Sequence, residues 1–530
     1  MITQQLSILK SFREKLYNFF PKRGDATMNL LDAVSSHAHH CNSVVELSEA
    51  PCFERQYSSI TDAVGDGLSA ANWTKIQSLV HEITSLEKKP KIYKMIVDAT
   101  PQPRPFAKKL NDKTIIHVPN PAPGNRPIGV GHQYSVVAML PDKEKKDRKN
   151  WLIPLSTERV KSHEKGNEVG IKQVVDCIKS LDLKDVLSMV ICDSLYGSEA
   201  CRIKASEEKN LILLCRMNAN RNVYLTSEHD NEKKTGRPKV YGEKMKLNNE
   251  EMHKTADEES ETTWSSRKGK QYRVIIKCWK NILLRGSRKF NSSKNPFDLI
   301  KIILLDEHEN PLFTRPLWVS IFGEKRHEVS LIDAWESYNA RYDIEHFFRF
   351  GKSKLLMDSY QTSETQHEEL WWRLCALAYV QLYLSNTSTK AIPKNWEKYL
   401  PEFKEGKKEN VLTSPSQTQR GFAQVLKEIG TPAQPCVPRG RLAGRKIGRL
   451  QDKKPDSPII FKSEMKKSKA KDASKSEQKT AEIVFSGFEK NENGSNPQKT
   501  NELPKCVKDY IEKFGLSPTD FIKMLLKTHI

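Results

Sequence analysis

The sequence predicts an α/β fold: a mixed-sheet core with a β-rich insertion, a helical N-terminal domain and a basic, partly disordered C-terminal tail. Three observations predict it. Apolar residues recur at helical spacing over the first 88 positions. Short β-branched apolar runs then alternate with helical stretches. Beyond about residue 401 the chain turns rich in Lys, Ser and Pro. At 530 residues the chain is too long for one core. Its net charge of +21 calls for a polyanionic partner, nucleic acid or an anionic membrane surface. The apolar stretch Leu370 to Leu384 contains Arg373 and is too short to cross a bilayer, so no membrane role is expected. No secretory signal is visible, and a cytoplasmic, prokaryotic, nucleoid-associated location is the expectation. The ten cysteines form no CxxC pair and read as reduced thiols, mostly buried.

In residues 1–88, Leu6, Leu9, Phe12, Leu16, Phe19 and Phe20 mark one helix face. Lys10, Arg13, Lys15, Lys22 and Arg23 lie beside it, either as a solvated face or as DNA contacts. The group His37, His39, His40, Cys41 and Cys52 lacks a second ligand pair at zinc-finger spacing and reads as a polar helix end or loop. Residues 89–216 form the first part of the core. Strands are expected over Ile92 to Val97, Gln133 to Leu140 and Trp151 to Leu155, then a helix over Val169 to Leu181. A strand from Val186 to Cys192, a short helix from Ser198 to Lys209 and a strand from Leu211 to Cys215 complete it. That order is the order of an RNase H-like core, in which the first and fourth strands are parallel neighbours. Residues 217–325 read as the β-rich insertion, with strands over Tyr272 to Trp279, Leu299 to Leu305 and Leu317 to Phe322. Residues 326–400 return to the core through one long amphipathic helix, Val329 to Leu356, and an aromatic helix. The low-complexity tail spans 401–500 and a last helix lies within 501–530.

Asp98 and Asp193 each follow an apolar strand. Ligands of α/β sheets gather at the carboxyl ends of strands. Either aspartate alone is an ordinary strand-to-turn residue. Two of them, on strands expected to be neighbours, point to a shared site. A third carboxylate would come from the segment holding Tyr338, Arg341, Glu345 and Lys352, whose spacings of three, four and seven put all four on one helix face. The opposite face carries Trp335, Ile344, Phe347 and Phe348 and is apolar enough to pack. Nearby Asp343 and Glu336 fall outside that spacing.

The pattern Tyr338-x2-Arg341-x3-Glu345-x6-Lys352 resembles the signature of the DDE transposases of one large group of bacterial insertion sequences. The segment Asp193-Ser-Leu-Tyr196-Gly197 resembles the surroundings of that family's second aspartate, and the β-rich insertion is a further likeness. The resemblance covers roughly residues 50 to 400 and leaves the basic tail unaccounted for. It implies a metal-dependent endonuclease and strand transferase that cuts transposon ends and joins the 3′-hydroxyl to target DNA. Asp98, Asp193 and Glu345 would be the catalytic metal ligands, Asp98 bridging two Mg²⁺ ions for which Mn²⁺ substitutes. Ions roughly 4 Å apart can activate the attacking oxygen and stabilise the leaving one. Tyr338, Arg341 and Lys352 would contact phosphates. The implied partners are double-stranded DNA, as terminal inverted repeats and target, and a second copy of the chain in a homodimeric synaptic complex.

Arg237 and Lys239, in Thr235-Gly-Arg237-Pro-Lys239, and the Pro438-Arg439-Gly-Arg441 segment resemble minor-groove arms. The resemblance further implies that an insertion-domain tryptophan can stack a flipped base where a hairpin intermediate is resolved. Trp264, Trp279 and Trp318 lie in that region, with core packing the better reading for the last two. Two alternatives stay open, a domesticated DNA-binding protein and a metal-dependent nuclease on the same fold.

Overall fold

The computed structural model describes residues 2–37, 41–85, 90–118, 127–141, 150–227, 240–266, 269–286, 291, 294–389, 396, 413–437, 448–449 and 453–461. Met1–Lys462 form one unit. Arg237, Lys239, Arg439, Arg441 and the expected last helix lie outside the described residues, as do His39, His40 and most of the low-complexity tail.

The N-terminal segment is helical, with α1 (Ile2–Tyr17), α2 (Gly24–Ser36), the short α3 (Ser58–Asp62) and α4 (Trp73–Thr84). Leu6, Leu9, Phe12, Leu16 and Phe20 are buried. Arg13 departs from both readings of the basic residues beside that face, a solvated surface and a DNA contact. It is 1 % exposed, forms a two-pronged ion pair with Asp32 (Nη2 to Oδ2 2.8 Å) and donates to Gln381 at 2.9 Å. A buried guanidinium needs such partners, because desolvating it alone costs several kcal/mol, on the order of a whole domain's marginal stability.

The strands are β1 (Tyr93–Pro103), β2 (Thr114–His117), β3 (Ile128–Met139), β4 (Ile153–Val160), β5 (Ser188–Cys192) and β6 (Leu211–Met217). After them come β7 (Asn222–Thr226), β8 (Tyr241–Lys246), β9 (Glu258–Ser265), β10 (Gln271–Ile282), β11 (Phe297–Leu305) and β12 (Leu317–Phe322). A ten-stranded mixed sheet runs β2-β3-β1-β5-β6-β12-β11-β10-β9, with β4 also on β3. β1 and β5 are parallel neighbours, as are β5 and β6. Of the strands in segment 217–325, β9 to β12 continue the same sheet, because β12 pairs antiparallel with β6, whereas β7 and β8 pair in a separate two-stranded sheet.

Helix α5 (Gly166–Ser180) covers one face of the early strands, and α6 (Glu199–Ala205) connects β5 to β6. Gly170 permits the close approach of α5. A Cβ there would meet the Tyr196 hydroxyl and Val97 Cγ2, each at 2.8 Å. The single helix expected over Val329 to Leu356 is two, α7 (Leu331–Asn339) and α8 (Tyr342–Lys354). Between them the backbone tightens into three-residue turns, with Arg341 N–H donating to the Tyr338 carbonyl (3.0 Å) and Asp343 N–H to that of Ala340 (2.9 Å). Trp335, Ile344, Phe347 and Phe348 are buried, as their pattern predicted. The aromatic helix α9 (Thr365–Ser385) is buried along nearly its whole length. Among the described residues no helix is long and apolar enough to cross a membrane. The last described helix is α10 (Pro415–Ile429).

Candidate active site

The site grows from the geometry of β1. Its backbone alternates. Arg104 N–H donates to Val130 and Lys94 accepts from Leu140, so the even-numbered residues of β1 bond to β3. The odd-numbered ones face β5, and that ladder ends at Ile96↔Ile191. Beyond it, Pro101 and Pro103 turn toward an edge that needs no N–H, which is where a strand tolerates proline. Asp98 therefore lies inside β1, not at its end as expected. It is nevertheless two residues past the last β1–β5 pair, and Asp193 is two residues past the same pair on β5. In-register parallel neighbours stand about 4.8 Å apart with side chains on the same face. The two carboxylates thus emerge side by side where the strands part.

Side chains of β1 also alternate. Val97 and Ala99 meet the α5 face at Gly170 and Gly166. Asp98, Thr100 and Gln102 point the other way, toward α8 and α9. Arg341 Nη1 is 3.8 Å from Asp98 Oδ2, the Lys352 ammonium donates to Thr100 Oγ1 at 2.8 Å, and Trp372 Nε1 donates to Gln102 Oε1 at 2.6 Å. Glu345 joins through Arg341, whose Nη2 donates to its Oε1 at 3.0 Å. Asp98 Oδ1 accepts from the Ala99 N–H at 2.8 Å, and Asp193 Oδ1 from the Ser194 N–H at 2.5 Å, where it caps the 3-10 turn Ser194–Gly197. Each aspartate is oriented by the next amide in the chain.

Electrostatics fit that crowding. Burial pushes the Asp98 carboxyl up to about 6, and the charges of Asp193 and Glu345 push the same way, against the Ala99 amide and Arg341. Arg341 loses solvation by burial, yet Tyr338, Asp98, Glu345 and Asp193 together hold its guanidinium above the ordinary arginine range. Burial raises the Tyr338 phenol, opposed by Arg341 and Arg216. Tyr338 is buried on α7 and not presented to solvent. Lys352 is half-buried and its pKa is lowered by burial. Its ammonium also donates to the Pro101 carbonyl at 2.6 Å, one of the acceptors stranded where β5 stops. In this arrangement Lys352 fastens α8 to β1.

Among the described residues no group of three or more His, Cys, Asp or Glu is gathered closely enough to hold a metal ion. The cation standing between Asp98 and Glu345 is Arg341. The donor set still suits a hard divalent ion. It consists of carboxylate oxygens only, and burial, with the Asp193 and Glu345 charges adding to it, keeps Asp98 prone to protonation until positive charge is supplied. In the His37 region, burial lowers His37 to about 4 and raises the Cys41 and Cys52 thiols.

Arg216 is a residue that the sequence reading missed. It stands exposed near the carboxyl end of β6, the next strand in the parallel set, close enough to affect the Tyr338 phenol. The signal was present, a polar residue closing the run Leu211-Ile-Leu-Leu-Cys-Arg216, as Asp193 closes that of β5. Of the tryptophans, Trp279 and Trp318 are buried against each other, with centroids 5.6 Å apart. Trp264 is half-buried beside Tyr272 on the edge strand β9.

No curated protein matches the chain. Residues 15–273, just under half of the chain, match the family model described as DDE superfamily endonuclease, a stretch that contains Asp98 and Asp193 and ends before Glu345.

Proposed function

We propose that the chain is a DNA transposase built on an RNase H-like core. It would cut transposon ends and join the freed 3′-hydroxyl to target DNA. One observation carries the reading: Asp98 and Asp193 emerge in register from parallel neighbours, with Arg341 linking the first of them to Glu345. The DDE superfamily endonuclease match supports a nuclease- or transposase-type activity and a divalent metal requirement. The division into a DNA-contacting 1–88, a core of 89–216 plus 326–400, an insertion of 217–325 and a basic tail remains part of the proposal.

Asp98, Asp193 and Glu345 would hold two Mg²⁺ ions, with Mn²⁺ as a substitute. Bound there, the ions would supply Lewis acidity toward the attacking and leaving oxygens. The protein's own share is distinct. The Ala99 and Ser194 amides hold each aspartate by one oxygen. Arg341, already charged and poised beside two of the carboxylates, would turn its fork to a phosphate. Lys352 would keep α8 on β1, exchanging Pro101 or Thr100 for a phosphate oxygen when DNA enters. Tyr338 would set the position of Arg341 and contact a phosphate on opening. Arg237 and Lys239 are proposed to reach the DNA backbone or minor groove. The partners would be terminal inverted repeats, target duplex and a second copy of the chain, in a prokaryotic cytoplasm.

The test is incubation of the full chain with duplex carrying the inverted repeats that flank its reading frame. Nicking that needs Mg²⁺ or Mn²⁺ and vanishes in Asp193→Ala is expected, followed by joining of the 3′-end to a plasmid. Nicking without joining would indicate a nuclease on the same fold. Binding without nicking would indicate a domesticated DNA-binding protein.

A further inference from the structure

The loop after β1 carries Phe106, which is 94 % exposed. A single exposed aromatic is unremarkable on a loose loop. This loop is anchored on every side. The Arg104 guanidinium is buried, donating to Glu368 Oε1 at 2.8 Å and to the Tyr360 and Thr362 carbonyls at 3.0 and 3.1 Å. The Lys113 ammonium holds the Ala107 and Lys108 carbonyls at 3.0 and 2.8 Å. From the far end of the described chain, Ser457 N–H donates to the Lys108 carbonyl at 3.0 Å. The ring is therefore held out in solvent by a braced backbone.

Beside it lies a cleft of about 450 Å³ between this loop and the segment 361–363. That volume falls within the ~300–1,000 Å³ usual for small-ligand sites. One wall presents Phe106, Lys108 and Lys109; the other presents Gln361, Thr362 and Ser363. Both lysines are exposed, and neither makes an ion pair among the described residues. An aromatic face, two ammonium groups and a wall of amide and hydroxyl groups match the base, phosphate and base edge of a nucleotide. Sequence-tolerant binding of single strands uses that combination of stacking and charge. The cleft's position fits as well. Pro103 is about 17 Å along β1 from Asp98, or about five base steps at ~3.4 Å per step of one strand.

We propose that this cleft takes an unpaired nucleotide of the strand being processed, its base stacked on Phe106 and its phosphate held by Lys108 and Lys109. The inference rests on the DNA-processing reading above, but its test is separate.

The probe is a single strand of about twelve nucleotides, within the site sizes such grooves occupy, carrying one 2-aminopurine and mixed with the full chain in EDTA. Binding should quench the 2-aminopurine. Phe106→Ala should weaken binding about tenfold and lose the quench, with an unchanged Tm because the ring is exposed, while Phe106→Trp keeps both. Lys108→Ala should lower the slope of log affinity against log salt by about 0.7. If Phe106→Ala binds and quenches within twofold of the wild type, or if the wild type binds no single strand, the proposal is overturned. Metal-dependent cleavage of duplex is scored separately. Cleavage with an inert Phe106 sinks the cleft alone, whereas binding and quenching without cleavage sinks the transposase reading and leaves the cleft standing.

Discussion

Arg341 stands 3.8 Å from Asp98 and is bonded at 3.0 Å to Glu345, so one guanidinium holds two of the three candidate metal ligands. A fixed cation at that point relieves carboxylate repulsion before any metal arrives. On the proposed reading it would also leave Arg341 free to take a phosphate once a metal held the carboxylates.

Arg341→Ala should therefore behave differently with and without divalent ions. Without them, Asp98 and Glu345 lose their shared counter-charge and the protein should melt lower than the wild type. With millimolar Mg²⁺ the gap should narrow, since a ligand bound only by the folded state stabilises it. Cleavage should fall about 10²-fold or more, the usual effect of removing one preorganised charge from a reacting centre. Melting curves in EDTA and in Mg²⁺, beside a cleavage time course, check all three. An equal Tm deficit in both buffers would deny the substitution of metal for arginine.

Asp98 gives a pH dependence with a definite sign. An unfolded Asp titrates near ~3.9, whereas burial places the folded Asp98 at about 6. A folded pKa raised above the unfolded one means the group's contribution is fully present below ~3.9 and is lost as pH rises through about 6. At neutral pH the metal-free protein should then have lost up to about 3 kcal/mol at this one group. Asp98→Asn cannot ionise and escapes that loss. Urea midpoints in EDTA should show the variant more stable than the wild type at pH 7.5, with the difference shrinking toward pH 4. A difference that does not change with pH would rule out the burial of Asp98 as its cause.

What could be read from the sequence follows from which forces act locally. The parallel β1–β5 pair was legible because buried parallel strands are continuous apolar runs. The Glu345 helix was legible because its polar and apolar residues separate at helical spacing. The length of β1 was not. The expected strand stops where its apolar run ends, at Val97, yet β1 continues to Pro103, with Pro101 and Pro103 facing the edge that β5 has vacated. The break at Ala340-Arg341 was also hidden, since neither residue disfavours a helix and the bonds holding Arg341 come from Asp98 and Glu345. β9 escaped because Glu258-Glu-Ser-Glu-Thr-Thr-Trp-Ser has no apolar face. Its partners are Lys280, Lys277 and Arg273 on β10, which pair with Glu258, Glu259 and Glu261. That edge strand is specified by cross-strand charge.

Arg216 offers a test of which cations on this sheet edge meet DNA. It is exposed near the end of β6, outside the Asp98–Arg341–Glu345 contacts. Arg216→Ala should weaken duplex binding and lower the salt slope by about 0.9, the loss of one phosphate contact. The Mg²⁺-dependent Tm shift should stay as in the wild type, because no candidate ligand is touched. Fluorescence anisotropy across a salt series measures the slope. An unchanged slope would place the duplex elsewhere.

Arg13 separates a structural cation from a binding one. Its guanidinium is enclosed by Asp32, Gln381 and the α1 core, so it cannot reach a phosphate in this fold. Arg13→Ala should leave Asp32 buried without a counter-charge and cost about 3–5 kcal/mol, the range for breaking a buried pair from one side. Removing both charges, as Arg13→Met with Asp32→Leu, should recover most of that stability, since an apolar pair of similar volume is often as stable. Salt-dependent duplex binding by the double variant should match the wild type at temperatures where both are folded. In contrast, Lys10→Ala, an exposed neighbour on α1, should alter stability little. A double variant as unstable as Arg13→Ala would mean that Arg13 matters through packing rather than charge. A double variant that folds well yet loses a unit of salt slope would return Arg13 to the DNA surface.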